Sequence, residues 1–285
     1  MNTLRVGLVQ MHVGYSKEEN LQKAKEMVQK AVSKNAQLIV LPEMFNCPYD
    51  NQFFPAFAEE EGGFSWQELS RMALENEVFL IGGSIPEIDD QGCIYNTSFV
   101  FNRQGGQIAK HRKVHLFDID VKGGQYFKES DTLSAGNEAT VFDTPFGRMG
   151  LIICYDIRFP ELARLLVAKG AKFIIVPGAF NMTTGPAHWE ILFRTRALDN
   201  QVYMMGAAPA RNEEAAYVSY GNSIIVDPWG KVVQRMDGEE NILIEDLEPA
   251  KIERVRTELP LLKHLRQDLY TLTEHPYVTP KNGRY

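Results

Sequence analysis

Arg148-Met-Gly-Leu-Ile-Ile-Cys154-Tyr-Asp-Ile-Arg-Phe-Pro-Glu-Leu162 sets an apolar run against a short polar turn and a proline-led helical pattern. Leu151, Ile152 and Ile153 read as a buried strand. Pro160-Glu161-Leu162 opens an amphipathic helix, with proline in the first turn, where its missing N–H removes no hydrogen bond. The strand ends at Cys154, which places that residue at the mouth of an α/β sheet rather than inside its core. Two readings of the thiol are open at this point. A free cysteine serves as a small buried hydrophobe, or it acts as a nucleophile, drawn toward thiolate by Arg158 and the nearby helix N-terminus.

The surroundings of this stretch occur twice. Arg148-Met-Gly-Leu-Ile-Ile echoes Arg5-Val-Gly-Leu-Val-Gln, and Phe173-Ile-Ile-Val-Pro177 echoes Leu38-Ile-Val-Leu-Pro42. Val202-Tyr-Met-Met-Gly206 echoes Val78-Phe-Leu-Ile-Gly82, and Ser223 to Asp227 echoes Ser98 to Asn102. Each half runs strand, helix, strand-Pro, helix, strand-Gly, hairpin, and four matches in register point to an internal duplication. In the first half, helices are expected over 17–34 and about 65–75, with a hairpin pairing 95–101 with 108–110. Two α/β halves, each with helices on one face of its sheet, pack sheet to sheet as a four-layer α-β-β-α sandwich. No Gly/Ser- or Pro-rich linker divides them, so residues 1–285 are expected to form one domain. Its core covers about 4–246, and 247–285 form a helix and a polar tail, loosely ordered or packed on a neighbouring subunit. Residues 112–138 show little periodicity, and an aperiodic segment that long inside a compact domain is usually functional.

Composition narrows the classes. The 285 residues are 44% hydrophobic and 24% charged, ordinary for a globular protein. A net charge of −7 gives no basic footprint for nucleic acid or an anionic membrane. Cys47, Cys93 and Cys154 are odd in number and far apart, which argues against a disulfide framework or zinc site and suits a reducing compartment. The N-terminus enters strand-like sequence without a leader pattern, and no apolar run approaches membrane-spanning length. A cytoplasmic protein is the expectation.

A nucleophilic thiol needs a base. None of the histidines (His12, His111, His115, His188, His264, His275) has a papain-like or caspase-like context, and Cys154 lacks the glycines of a tight nucleophile elbow. His111 and His115 are spaced i,i+4, but without a His-Glu-x-x-His motif and beside Arg112 and Lys113 they make a poor metal site. Glu43 directly follows the buried strand Leu38–Leu41 and Pro42. It is either a turn cap or a partly desolvated general base. Lys113 reads as a solvated charge or as a fixed ammonium for an oxyanion. Glu129, in Tyr126-Phe-Lys-Glu-Ser130, reads on its own as a loop carboxylate.

These four residues share one pattern. The chain resembles the nitrilase superfamily of carbon-nitrogen hydrolases across about residues 4–270, with all four stations in the family's order. The resemblance implies that Cys154 is the nucleophile, Glu43 the general base and acid, Lys113 the oxyanion stabiliser and Glu129 a support. It also implies the sandwich fold inferred from the repeat. Phe45-Asn-Cys-Pro-Tyr-Asp-Asn-Gln-Phe-Phe-Pro55, His115-Leu-Phe-Asp-Ile-Asp-Val121 and Pro177-Gly-Ala-Phe-Asn-Met-Thr-Thr-Gly-Pro-Ala-His-Trp-Glu190 are similar to the omega-amidase branch. Tyr155-Asp156 stands where nitrilases carry tryptophan and glutamate, which tilts the expectation toward an amide substrate.

The substrate implied is a small dicarboxylate monoamide such as α-ketoglutaramate or α-ketosuccinamate. The Tyr155 backbone N–H would share the oxyanion. Tyr49, Arg158, His188, Arg196 and Arg211 are candidates for the far carboxylate, although Arg158 could instead pair with Asp156 or Glu161 and Arg196 could lie on a solvated helix face. No metal, organic cofactor, nucleic acid or membrane is implied, and a homodimer is expected. Rival expectations are a deaminated-glutathione amidase, an N-carbamoyl amidohydrolase, or a non-catalytic binding protein on the same fold.

Overall fold

The computed structural model describes residues 3–275. The first half comprises β1 (Leu4–Gln10), α1 (Lys17–Val32), β2 (Leu38–Val40), α2 (Phe54–Phe57), α3 (Phe64–Asn76), β3 (Phe79–Ile81), β4 (Ile85–Ile88), β5 (Ile94–Phe101) and β6 (Gln107–Arg112). A two-stranded hairpin, β7 (Asp118–Asp120) with β8 (Tyr126–Lys128), leads to the second half. That half comprises β9 (Thr140–Thr144), β10 (Gly147–Leu151), α4 (Pro160–Ala168), β11 (Phe173–Pro177), α5 (Gly185–Asn200), β12 (Tyr203–Ala207), β13 (Ile224–Val226) and β14 (Val232–Arg235). β15 (Asn241–Leu247) then crosses back to pair with β1, and α6 (Pro249–Glu258) follows.

The duplication read from the sequence is present in the pairing. β1, β2 and β3 are parallel neighbours with β5 antiparallel beside β3, and β10, β11, β12 and β13 repeat that order. Side chains alternate along each strand. Leu4, Val6 and Leu8 of β1 meet Met149 and Leu151 of β10, Phe173, Ile175 and Met205 in one core between the two sheets. The opposite faces are covered by α1 and α3 on one sheet and by α4 and α5 on the other. This is the four-layer α-β-β-α sandwich. The glycine in each Arg-x-Gly-Leu echo faces the covering helix. A Cβ on Gly7 would lie 3.2 Å from Ala31 Cβ, and one on Gly150 would lie 2.8 Å from Leu166 Cδ1. Helix and sheet approach too closely there for a side chain.

Some elements differ from expectation. The loop over 45–55 carries into a one-turn helix, α2, opened by Pro55. Ile85–Ile88 forms β4, unrecognised because Pro86 and Glu87 break the alternation. The aperiodic segment contains the β7–β8 hairpin and a 3-10 turn over Glu129–Asp131; strands of three residues are too short to show a period. The tail is tied to its own chain as far as Glu274, whose carboxylate accepts from Ala139 N at 2.8 Å and pairs with Lys169. Residues 276–285 of that expected tail lie outside the described residues. No helix among the described residues is long and apolar enough to cross a membrane.

Candidate active site

Glu43 follows β2 by way of Leu41 and Pro42, and the loop after β3 holds it in place. Gly83 adopts φ +56°, and a Cβ there would lie 2.1 Å from Pro42 O, so this approach requires glycine. Ser84 closes the contact, donating its N–H to Pro42 O at 3.2 Å and accepting Met44 N at 3.0 Å through its hydroxyl. Met44 itself has φ 49°, a strained left-handed conformation for a side-chain-bearing residue. The turn aims the Glu43 carboxylate into the seam between the halves. There Oε1 accepts Asn96 Nδ2 at 2.8 Å and Oε2 accepts Ala179 N, just beyond β11, at 2.7 Å.

Lys113 arrives from the end of β6, its backbone N–H donating to Asn96 O at 2.8 Å. The ammonium donates to Glu43 Oε1 at 3.0 Å, Glu129 Oε1 at 2.9 Å and the Tyr49 hydroxyl at 3.3 Å. All of these side chains are buried, and Glu43, Lys113 and Glu129 have no exposed surface. Glu129 is anchored through Oε2, which accepts Phe117 N at 2.7 Å, while Tyr49 donates to Glu129 Oε1 at 2.6 Å. Tyr49 was a candidate for binding substrate carboxylate. Its hydroxyl is instead committed to the internal charges, and its ring packs on Tyr217 at 4.5 Å between centroids.

Cys154 closes the cluster. It opens a 3-10 turn, Cys154–Arg158, with φ 47°, and its buried thiol lies within reach of the Glu43 and Lys113 charges. Burial raises the thiol's pKa well above its ordinary value, and the adjacent Glu43 charge raises it further against the opposing Lys113. The expectation that Arg158 and a helix N-terminus hold a resting thiolate is therefore overturned: desolvation outweighs them. Burial likewise raises Glu43, with Lys113 opposing and Glu129 adding to the rise. Lys113 is held protonated, its burial more than offset by Glu129, Glu43 and Cys154. A neutral thiol beside a strongly basic carboxylate, with a permanent cation alongside, is equipped for coupled proton transfer and attack on an electrophilic carbon.

The remaining candidates separate. Tyr155 follows the nucleophile directly, its ring edge-on to Phe117 at 5.2 Å. The half-buried Arg158 guanidinium lies over Phe180 at 4.7 Å and Tyr155 at 5.4 Å, with Nη1 3.1 Å from Nδ1 of the exposed His188. It makes no ion pair with Asp156, Glu161 or any other carboxylate among the described residues, and its buried Nε has no partner. Arg196 is buried rather than on a solvated face, donating to Ile157 O at 2.9 Å and Arg158 O at 3.0 Å. Arg211 braces Tyr220 O at 3.0 Å, away from the cluster. His111 and His115 both turn to Asp156, and among the described residues no group of three His, Cys, Asp or Glu is placed to hold a metal ion. Sequence reasoning missed Asn96, which contacts Glu43 and Lys113 from within β5. Its signal was a polar side chain in a strand otherwise apolar toward its end.

Comparison with known proteins follows the same lines. The family model for the carbon-nitrogen hydrolases matches residues 5–257. The mouse (Mus musculus) protein named omega-amidase NIT2 is 49% identical over 272 residues, 95% of this chain and 98% of that protein. The human (Homo sapiens) omega-amidase NIT2 is 46% identical over the same shares. Among solved structures, Saccharomyces cerevisiae Nit3, described as a member of branch 10 of the nitrilase superfamily, superposes with a TM-score of 0.86. It is 44% identical, covering 93% of this chain and 97% of its own.

The charge balance of the cluster makes Lys113→Met informative. Removing the ammonium leaves two buried carboxylates facing each other without compensation, at a cost of about 3–5 kcal/mol at neutral pH. Glu43, already raised, moves further up, so the folded state binds more protons than the unfolded chain and stability rises as pH falls. Urea unfolding at neutral and mildly acidic pH checks this; a stability loss independent of pH would contradict it.

Proposed function

The chain belongs to the carbon-nitrogen hydrolase family, and from that footing we propose that it is an omega-amidase, acting on small dicarboxylate monoamides such as α-ketoglutaramate and α-ketosuccinamate. It is a hydrolase of carbon-nitrogen bonds. The finer assignment draws on relatives of that name matched over nearly the whole chain. The observation that carries the mechanism is the buried hydrogen-bonded group of Glu43, Lys113 and Glu129, with the buried Cys154 thiol under its charges.

Glu43 accepts the Cys154 proton as sulfur attacks the amide carbon. The developing oxyanion is held by the Lys113 ammonium, which gives up its bond to Tyr49 for it, and by the Tyr155 backbone N–H. Glu43 passes its proton to the leaving nitrogen, ammonia departs, and a thioester remains on Cys154. Water gives a proton to the same carboxylate, attacks the thioester carbon, and releases the acid as the thiol regains its proton. Glu129 and Tyr49 orient Lys113 and transfer no proton.

Substrate choice rests on Arg158. A partly desolvated guanidinium with an unpartnered Nε, four residues beyond the nucleophile and without a carboxylate of its own, suits the substrate's far carboxylate. His188, whose Nδ1 lies 3.1 Å from Arg158 Nη1, assists it. Three free cysteines fit a reducing, cytoplasmic setting, which fractionation of the native cell would check.

A homodimer is also proposed. The outer face of α5 exposes Ile191 and Leu198, with Trp229 of the β13–β14 turn beside them, Trp229 being 54% exposed. An apolar patch of this kind suits a second copy of the chain.

Two experiments test these proposals. Ammonia release is expected from α-ketoglutaramate and to vanish in Cys154→Ala, while Arg158→Gln raises KM for dicarboxylate monoamides at least tenfold and leaves an amide without the far carboxylate nearly unchanged. Turnover confined to deaminated glutathione or N-carbamoyl substrates would overturn the substrate assignment. In light scattering the wild type should weigh two chains and Ile191→Glu/Trp229→Glu one; a monomeric wild type would refute the dimer.

A further inference from the structure

Asp156 is fully buried and accepts hydrogen bonds from both segments that carry the reacting groups. From the nucleophile turn, Ile153 N donates to Oδ2 at 3.0 Å. From the lysine segment, His115 donates twice to Oδ1, through its backbone N and through Nδ1, each at 2.8 Å. His111 Nε2 reaches Oδ2 at 3.2 Å, while its Nδ1 faces the Thr140 hydroxyl at 2.9 Å. His111 and His115 flank Lys113 two residues to either side. His115 makes a second contact with the nucleophile turn, its ring stacked on Phe159 at 3.6 Å and 8°.

We propose that Asp156, acting through His111 and His115, is the positioning residue that fixes the lysine segment against the nucleophile turn and so sets the distance from Cys154 to the Lys113 ammonium. The two segments belong to different sheets, and Lys113 N itself is held by Asn96 of its own sheet. Cys154 sits in a strained left-handed conformation that neighbouring contacts must enforce. One carboxylate with acceptor sites on both oxygens bridges the pair without a covalent link. Its ionised form is favoured by the two histidines against the burial that opposes it.

This proposal rests on the reading of Cys154 as nucleophile and Lys113 as oxyanion donor. The test is a series on the holoenzyme as it stands. His115→Ala removes the Nδ1 bond and the stack, whereas His115→Asn keeps a side-chain donor at the Nδ1 position. His115→Ala is expected to lower kcat roughly tenfold with KM within about threefold, and His115→Asn to recover most of the loss. Asp156→Asn turns an acceptor oxygen into a donor facing donors. It is expected to lower kcat about a hundredfold, since an ångström of misplacement is worth that much. If Asp156→Asn fails to fold by circular dichroism, the exposed-side His115 pair still decides the matter. Equal kcat in His115→Ala and His115→Asn, or losses confined to melting temperature, would overturn the proposal. Its failure is distinct from failure of the underlying mechanism, which would show as turnover by Cys154→Ala.

Discussion

A buried ammonium between two buried carboxylates is the interaction on which the rest depends. Taking Lys113, Glu43 and Glu129 out of water costs several kcal/mol for each ion, and only close, multiply hydrogen-bonded pairing offsets it. Each of the three is therefore held by further groups: Asn96 and Ala179 N on Glu43, Phe117 N on Glu129, Tyr49 between Glu129 and Lys113. The raised pKa of Glu43 follows from desolvation, which outweighs the opposing Lys113 charge, with the Glu129 charge adding to the rise. That desolvation is useful chemically, because it makes Glu43 a stronger base beside a thiol whose own pKa is pushed upward.

The cluster can form only because two halves of the chain meet sheet to sheet. The first half supplies Glu43 at the end of β2 and Lys113 at the end of β6, and the second supplies Cys154 beyond β10 and Ala179 beyond β11. In the duplicated frame Cys154 takes the place held in the first half by Met11, a residue of the apolar core. The divergence lies in the connecting loops rather than in the strands. Met44 and Cys154, adjacent to the base and at the nucleophile, both carry positive φ, so the backbone is strained at the two points where side chains must be aimed.

Much of this was legible in the sequence. The Arg-x-Gly-Leu echoes, the strand-Pro pairs and the strand-Gly pairs gave the order of elements in each half and the layering, because a duplicated chain repeats its marks in register. Glu43 and Cys154 stood at strand ends that any period-two reading finds. What stayed hidden depended on partners distant in the chain. Arg196 reads as a surface arginine until Ile157 and Arg158 carbonyls are brought beneath it, and Tyr49 reads as a partner for substrate carboxylate until Glu129, eighty residues on, claims its hydroxyl. The protonation state of Cys154 was misjudged because sequence shows nearby charges but not burial. Asp156 appeared as a mark of amide rather than nitrile chemistry and as a possible partner for Arg158, since the two histidines that reach it come from the other half of the chain.

The central claim is that this buried cluster makes Cys154 a nucleophile that carries the acyl group. Acid-quenching the wild-type enzyme during turnover of α-ketoglutaramate and mapping its mass by peptide tests that claim most directly. An acyl adduct, free of the amide nitrogen and carried on the peptide containing Cys154, is the predicted result. Steady turnover with no adduct, or an adduct on another side chain, would contradict it.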